Sequence, residues 1–259
     1  MKKALLFLII VLILCLSHSE IYALWRDISF DMSEHTPAEL AAKAYADANN
    51  LRYSDYPEEL IELLERNPET EAFVLEYPLK RDTAVSVDMS AYENQDAVPL
   101  FLQWDQQWGY IHYGSNVAGL TGCGPVCLSM AAYHLTGDPN MSPDRIIAFA
   151  IDNGYCIPGD GTSWTLISEG GVKLGLNVTE IPLVESRIYD NLEVGNPIIC
   201  VMGPGDFTTS GHYIVMVGLE NGLIRVNDPN SISNSQRLWD YDQIQDQTRN
   251  LWVIRCENG

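Results

Sequence analysis

The chain has 259 residues, with 35 acidic against 15 basic side chains and a formal charge of −20. A surface of that sign repels nucleic acid and anionic lipid, so neither is an expected partner. The length allows one large domain, or a domain plus an extension.

The N-terminus reads as a targeting segment. Lys2 and Lys3 precede an unbroken apolar run, Ala4 to Leu16, and polar Ser17-His18-Ser19 follows. A charged n-region before an apolar stretch of this length has the form of a signal peptide. The run is shorter than the roughly 20 residues that a bilayer span takes. Residues 1–23 are assigned to this signal, with cleavage after Ser19 or Ala23. Leu14, ahead of Cys15, is too large for a lipoprotein signal. The expected product is therefore soluble, secreted or cell-surface associated, with no stable membrane insertion after cleavage; the alternative is an uncleaved signal acting as an anchor. Cleavage after Ala23 removes Lys2, Lys3 and Glu20 and takes the charge to −21.

Residues 24–96 read as a helical extension and linker. Thr36-Pro37-Ala38-Glu39 is a capping box with proline at the first helical position, and the helix runs to about Asn49. A second helix starts near Pro57, with Leu60, Ile61, Leu63 and Leu64 on its apolar face, and stops before Pro68. A third runs from about Pro68 to Tyr77. Asp82 to Asp96 is polar and aperiodic, as a linker or strap is.

From Val98 the composition shifts to tryptophan, glycine and β-branched residues, and 97–259 is assigned to one domain. Thr121-Gly122-Cys123-Gly124-Pro125 opens a helix carrying Leu128, Ala131, Ala132 and Leu135 at helical spacing. Helices follow at about Pro143–Asn153 and Thr162–Leu174, separated by a turn at Pro158–Gly161. Strands follow at Pro197–Met202, His212–Leu219, Leu223–Asn227 and Leu251–Arg255. Helices first and antiparallel strands afterwards indicate an α+β domain.

Chemistry concentrates around Cys123. At a helix start a thiol faces unpaired N–H groups and the positive end of the dipole, and both favour the nucleophilic thiolate. A cysteine nucleophile needs a base, and the base needs an orienting group. His212 opens a strand beside Gly211 and is the candidate base. Asp228 ends the next strand and is the candidate orienter. A three-residue loop, Glu220-Asn221-Gly222, pairs Leu219 with Leu223 and sets Asp228 opposite Ile214, diagonal to His212. A two-residue Asn221-Gly222 loop turns Asp228 to the wrong face unless a bulge intervenes. Gln103 is the candidate oxyanion donor, with the backbone N–H of Cys123 as the second donor and Gln106 and Gln107 as competitors. Cleavage leaves Cys123, Cys127, Cys156, Cys200 and Cys256. An odd number leaves at least one thiol unpaired; with Cys123 free, the other four allow three pairings or none. The cysteine and histidine spacings do not form a zinc motif, and no cofactor is expected.

Five segments carry a family resemblance. They are Val98-Pro99-Leu100 with Gln103; Gly122-Cys123-Gly124-Pro125; Gly161-Thr162-Ser163-Trp164; Gly205-Asp206-Phe207-Thr208 with Ser210-Gly211-His212; and Val226-Asn227-Asp228-Pro229-Asn230-Ser231. In this order, from about Val98 to Arg255, the chain resembles the C39-like group of papain-like cysteine peptidases. The Glu58-to-Arg81 stretch looks like the extension of secreted members. The resemblance implies a papain-like fold with a helical half and an antiparallel β-sheet half. It implies Cys123 as nucleophile, His212 as base and acid, Asp228 as orienter and Gln103 as oxyanion donor, acting on peptide or isopeptide bonds through a thioester. One departure is visible: in bacteriocin-processing members the glutamine lies a few residues before the cysteine, whereas Gln103 is twenty before it. No stretch reads as a transporter segment. The leading expectation is a secreted cysteine peptidase with a peptide or protein substrate. The alternatives are an amidase or transpeptidase on cell-surface peptides, and a non-catalytic peptide-binding module presenting Trp104, Trp108 and Trp164 at its cleft.

Overall fold

The structure is a computed structural model that describes residues 17–28, 30, 34–83 and 86–256. The apolar run of the signal segment, Ala4 to Leu16, lies outside the described residues. The chain forms two units, Met1–Lys80 and Arg81–Gly259.

The first unit is helical. It contains α1 (His18–Ile28), α2 (Pro37–Ala48), α3 (Glu58–Arg66) and α4 (Glu71–Lys80). The expected capping box is present: Thr36 accepts from the Glu39 N–H, and the Glu39 side chain accepts from the Thr36 N–H. Alanines 38, 42 and 46 of α2 are buried, so α3 can approach closely and bury Leu60, Ile61, Leu63 and Leu64. The third expected helix extends beyond Tyr77, through Pro78 to Lys80. Helix α1 was not foreseen. It begins at His18 and passes through both expected cleavage positions, Ser19 and Ala23.

The second unit contains two small ribbons and one large sheet. Strands β1 (His112–Tyr113) and β2 (Asn116–Val117) lead into the short α5 (Ala118–Thr121) and then α6 (Cys123–Thr136). Next come α7 (Pro143–Asp152), β3 (Cys156–Ile157) and β4 (Gly161–Thr162). The helix expected over Thr162–Leu174 is shorter: a π-helical turn, Leu166–Gly170, runs into α8 (Gly171–Lys173). Then follow β5 (Leu176–Glu180), α9 (Glu185–Glu193), β6 (Ile198–Met202), β7 (His212–Glu220), β8 (Leu223–Asn227), α10 (Ile232–Gln236), β9 (Leu238–Trp239), α11 (Tyr241–Ile244) and β10 (Thr248–Cys256). The sheet order is β5-β10-β6-β7-β8-β9, and every pairing is antiparallel. This is the expected α+β arrangement of a helical half and an antiparallel sheet half.

The sheet is covered on both faces. Ile199, Val201, Tyr213, Val215, Trp252 and Ile254 pack with α6 and α7. Ile198, Cys200, Met202, Ile214, Met216 and Val253 pack with α9 and α11. That is why Ile198–Met202 is an unbroken apolar run, as central strands buried on both faces are. The spacing of Leu128, Ala131, Ala132 and Leu135 points to one apolar face on α6, but every residue from Gly124 to Tyr133 is buried. It is the central helix, and an all-apolar surface suits that position. Part of the expected linker also belongs here: Met89 is buried in this core with Val87 and Tyr92 beside it, and the Tyr92 ring meets Phe101 edge-on at 4.9 Å.

Candidate active site

Cys123 is the first residue of α6, behind Gly122 as the N-cap. No side chain caps this helix start, and Pro125 has no N–H to satisfy, which leaves the Cys123 and Gly124 N–H groups beside the thiol. Gly124 is set by close packing: a Cβ there would lie 2.7 Å from Thr162 Cγ2. Thr162 is held in turn by Tyr113, whose hydroxyl is 2.8 Å from its Oγ1, and by Tyr213, whose hydroxyl donates to its carbonyl at 3.2 Å. The Gly161–Trp164 segment thus forms a fixed wall against the start of α6.

His212 and Asp228 meet as expected, but by a different route. Strand β7 turns into β8 through two residues, Asn221 and Gly222, with φ of 54° and 78°. An Asn-Gly pair with both φ positive is the favoured two-residue hairpin turn. The three-residue loop is therefore corrected: Glu220 pairs with Leu223, and Leu219 pairs with Ile224. Taken alone, this turn would misplace Asp228. The register then shifts between Met216 and Gly218, so Val217 is an extra residue and Met216 pairs with Val226. The bulge cancels the shorter loop. Carried past Val215–Asn227, the register again sets Asp228 opposite Ile214, diagonal to His212.

The contact is direct. His212 Nε2 lies 2.7 Å from Asp228 Oδ1, and both residues are buried. Cys123 also acts on the ring and favours its protonated form. Two further groups, which sequence reasoning missed, hold the Asp228 carboxylate. The Asn230 N–H donates to Oδ1 at 2.8 Å, and Asn234 Nδ2 donates to Oδ2 at 2.8 Å. Asp228 is thus also the turn aspartate that Asp-Pro-Asn suggests, with its oxygen bonded two residues on. Ser231 caps α10 by accepting from the Asn234 N–H, and so presents Asn234. Ser231 three residues before Asn234 was the available sequence signal.

Gln103 is buried, and its Nε2 donates to the Gly119 carbonyl at 2.8 Å, in the short helix just before Cys123. Its Oε1 is buried without a partner. The segment is stitched to the end of β8. The Gln103 N–H donates to the Pro229 carbonyl at 2.7 Å, and Asn227 Nδ2 donates to the Val98 and Pro99 carbonyls at 3.0 Å each. Trp104 Nε1 donates to the Asn230 carbonyl at 3.2 Å. The twenty-residue gap is therefore a loop whose two ends return to one place. Of the competitors, Gln107 is directed elsewhere and accepts from the Asp88 N–H at 2.7 Å. Of the three tryptophans, Trp108 is core, Trp104 is half-buried, and Trp164 is 47% exposed, edge-on to Trp252.

The model of the Peptidase_C39 like family matches residues 95–255. The chain belongs to this family. Membership supports a cysteine-peptidase type of function. The peptidase domain of Streptococcus ComA, a bifunctional ABC transporter involved in a quorum-sensing pathway, is similar at 22% identity and a TM-score of 0.43 over 61% of this chain and 98% of that one. A putative C39-like peptidase from Bacillus anthracis is similar at 12% identity and a TM-score of 0.40, over 61% of this chain and 94% of that one. No curated protein matches the chain.

The electrostatics of this C39-like domain centre on His212. Burial by itself lowers the basicity of the ring. The charge and hydrogen bond of Asp228 oppose that, with help from Cys123, and the pKa is pushed up to about 10. The described cysteines are all free. Burial pushes the Cys127 thiol well above its usual range and raises Cys200 and Cys156 as well. Among the described residues no three His, Cys, Asp or Glu side chains gather as a metal site.

Proposed function

We propose that this chain is an exported thiol peptidase acting on peptide or protein substrates with Cys123, His212, Asp228 and Gln103. The observation that carries this reading is the buried His212 ring, bonded to Asp228 at 2.7 Å and raised in basicity by Asp228 and by Cys123. Nε2 faces Asp228, so Nδ1 is the nitrogen that exchanges a proton with Cys123, and a ring raised to about 10 favours holding that proton. The sulfur then attacks the substrate carbonyl carbon. Negative charge develops on the carbonyl oxygen, where the Cys123 N–H and the second N–H of the Gln103 amide stabilise it. The imidazolium returns its proton to the leaving amine, and a thioester to Cys123 remains. Water, deprotonated by Nδ1, attacks the thioester. The carboxylic acid leaves, and the thiol is restored.

Asp228 keeps Nε2 protonated and Nδ1 turned to the sulfur, as the third member of such triads does. The test is turnover of a peptide library by wild type and Cys123→Ala, with intact-mass detection of the acyl-enzyme. The reading requires turnover and a mass adduct on Cys123 in wild type, and neither in the variant. Equal peptide binding by both proteins with no turnover by either would refute it and leave a binding module. A product joined to an added amine would mark transfer in place of hydrolysis.

A further inference from the structure

Helix α1 is fastened along one side. Arg26 donates to the Tyr56 carbonyl at 3.3 Å and lies 4.9 Å from the Tyr53 ring centroid. The Asp27 carboxylate accepts from the Ser54 N–H at 2.9 Å and from its hydroxyl at 2.8 Å. Tyr22 donates to Glu58 at 2.9 Å. At roughly 100° per residue, Ala23, Arg26 and Asp27 share the docked side, and Ile21, Leu24, Trp25 and Ile28 share an arc of about 100° opposite it. These four are 39%, 46%, 61% and 77% exposed, and no residue of α1 is buried. Such spacing is that of an apolar stripe, and a soluble surface seldom exposes one.

The sequence leading into α1 points to what covers the stripe. The apolar run Ala4–Leu16 ends one residue before Ser17, which makes the first hydrogen bonds of the helix. That run is shorter than a bilayer span, which takes about 20 residues. A lipid interface takes both an apolar run and an apolar stripe beside it. Tryptophan and tyrosine, here Trp25 and Tyr22, are favoured there. The charge of −20 disfavours an anionic surface and leaves zwitterionic headgroups as the match.

We propose that the Ile21, Leu24, Trp25 and Ile28 face of α1 lies in the interface of a zwitterionic bilayer and holds the chain at the membrane surface. This takes the place of full release after Ser19 or Ala23, and it does not depend on the peptidase reading. The test uses the full chain with brominated phosphatidylcholine vesicles, in wild type, Trp25→Phe and Leu24→Asp/Ile28→Asp. Trp25→Phe keeps the stripe but removes its reporter from among the six tryptophans. Wild type is expected to show more quenching than Trp25→Phe. The double variant should lose that excess and partition roughly tenfold more weakly, because interfacial binding scales with buried apolar area. Added phosphatidylglycerol should weaken wild-type binding. Equal quenching of wild type and Trp25→Phe overturns the proposal. A concentration-dependent dimer in that case identifies a second copy as the cover. A mature N-terminus beyond Ile28, by intact mass of the exported protein, overturns it as well.

Discussion

Replacing Asp228 with asparagine isolates the charge beside the His212 ring. The side chain keeps its size, and Asn230 and Asn234 can still approach it, but the carboxylate is gone. In wild type His212 sits near 10, so at pH 7.5 more than about 99% of the rings are protonated. Burial is the largest single influence on this ring and acts downward. Without the carboxylate it should dominate and bring the ring below the ordinary 6.5. At pH 7.5 at most roughly a tenth of the rings would then be protonated. The imidazolium population therefore falls about tenfold or more. Two measurements read this: an NMR titration of the histidine-labelled protein, and the pH dependence of the iodoacetamide rate at Cys123. The sign for stability follows as well. A group raised from 6.5 to about 10 contributes stability that is fully present below pH 6.5 and is lost as pH rises through 10. The wild-type melting temperature should fall across that window, and Asp228→Asn should not show this loss. If His212 in Asp228→Asn still titrates above about 9, the carboxylate is not what holds the proton, and the reasoning is wrong.

Three further outcomes are expected. Iodoacetamide on the folded protein at pH 7 should label Cys123 and spare the buried Cys127 and Cys200 until denaturant is added, which peptide mapping reads directly. Gly124→Ala should cost about 1–3 kcal/mol in denaturant melts and slow Cys123 labelling, because the new Cβ must displace Thr162 from 2.7 Å. Asn234→Ala removes the 2.8 Å bond to Asp228 Oδ2 and leaves a buried oxygen short of a donor. It should cost about 1–3 kcal/mol and lower turnover more than substrate affinity, a split that steady-state kinetics resolves.

Much of the site was legible from local chemistry. Glycine and proline around Cys123 mark a helix start, Gly211 before an apolar run places His212 at a strand mouth, and Asp-Pro-Asn marks a turn at Asp228. These signals act within a few residues, so sequence carries them. The hairpin was less legible. Asn221-Gly222 pointed to a two-residue turn, but a slip of one residue reverses every face, and no local signal marked Val217 as the residue that restores the register. Strand β5 was missed because it is an edge strand, buried at Leu176 with most of the rest of its length open to solvent. Helix α1 was hidden because its stripe follows directly on the apolar run Ala4–Leu16.

By itself the sequence determined the α+β class, the helix that begins at Cys123, and the residue types of the site. Tertiary structure alone decided where Gln103 lies. Its position rests on bonds from the 98–104 segment to Gly119 and to the end of β8, more than a hundred residues further on. It decided as well that Asp228 reaches His212, because strand β7 must bury alternate residues on two faces and the bulge is where that demand meets the tight turn. Pairings of that kind join side-chain and backbone groups far apart in the chain. Side-chain type does not encode them, and only the closed fold brings them together.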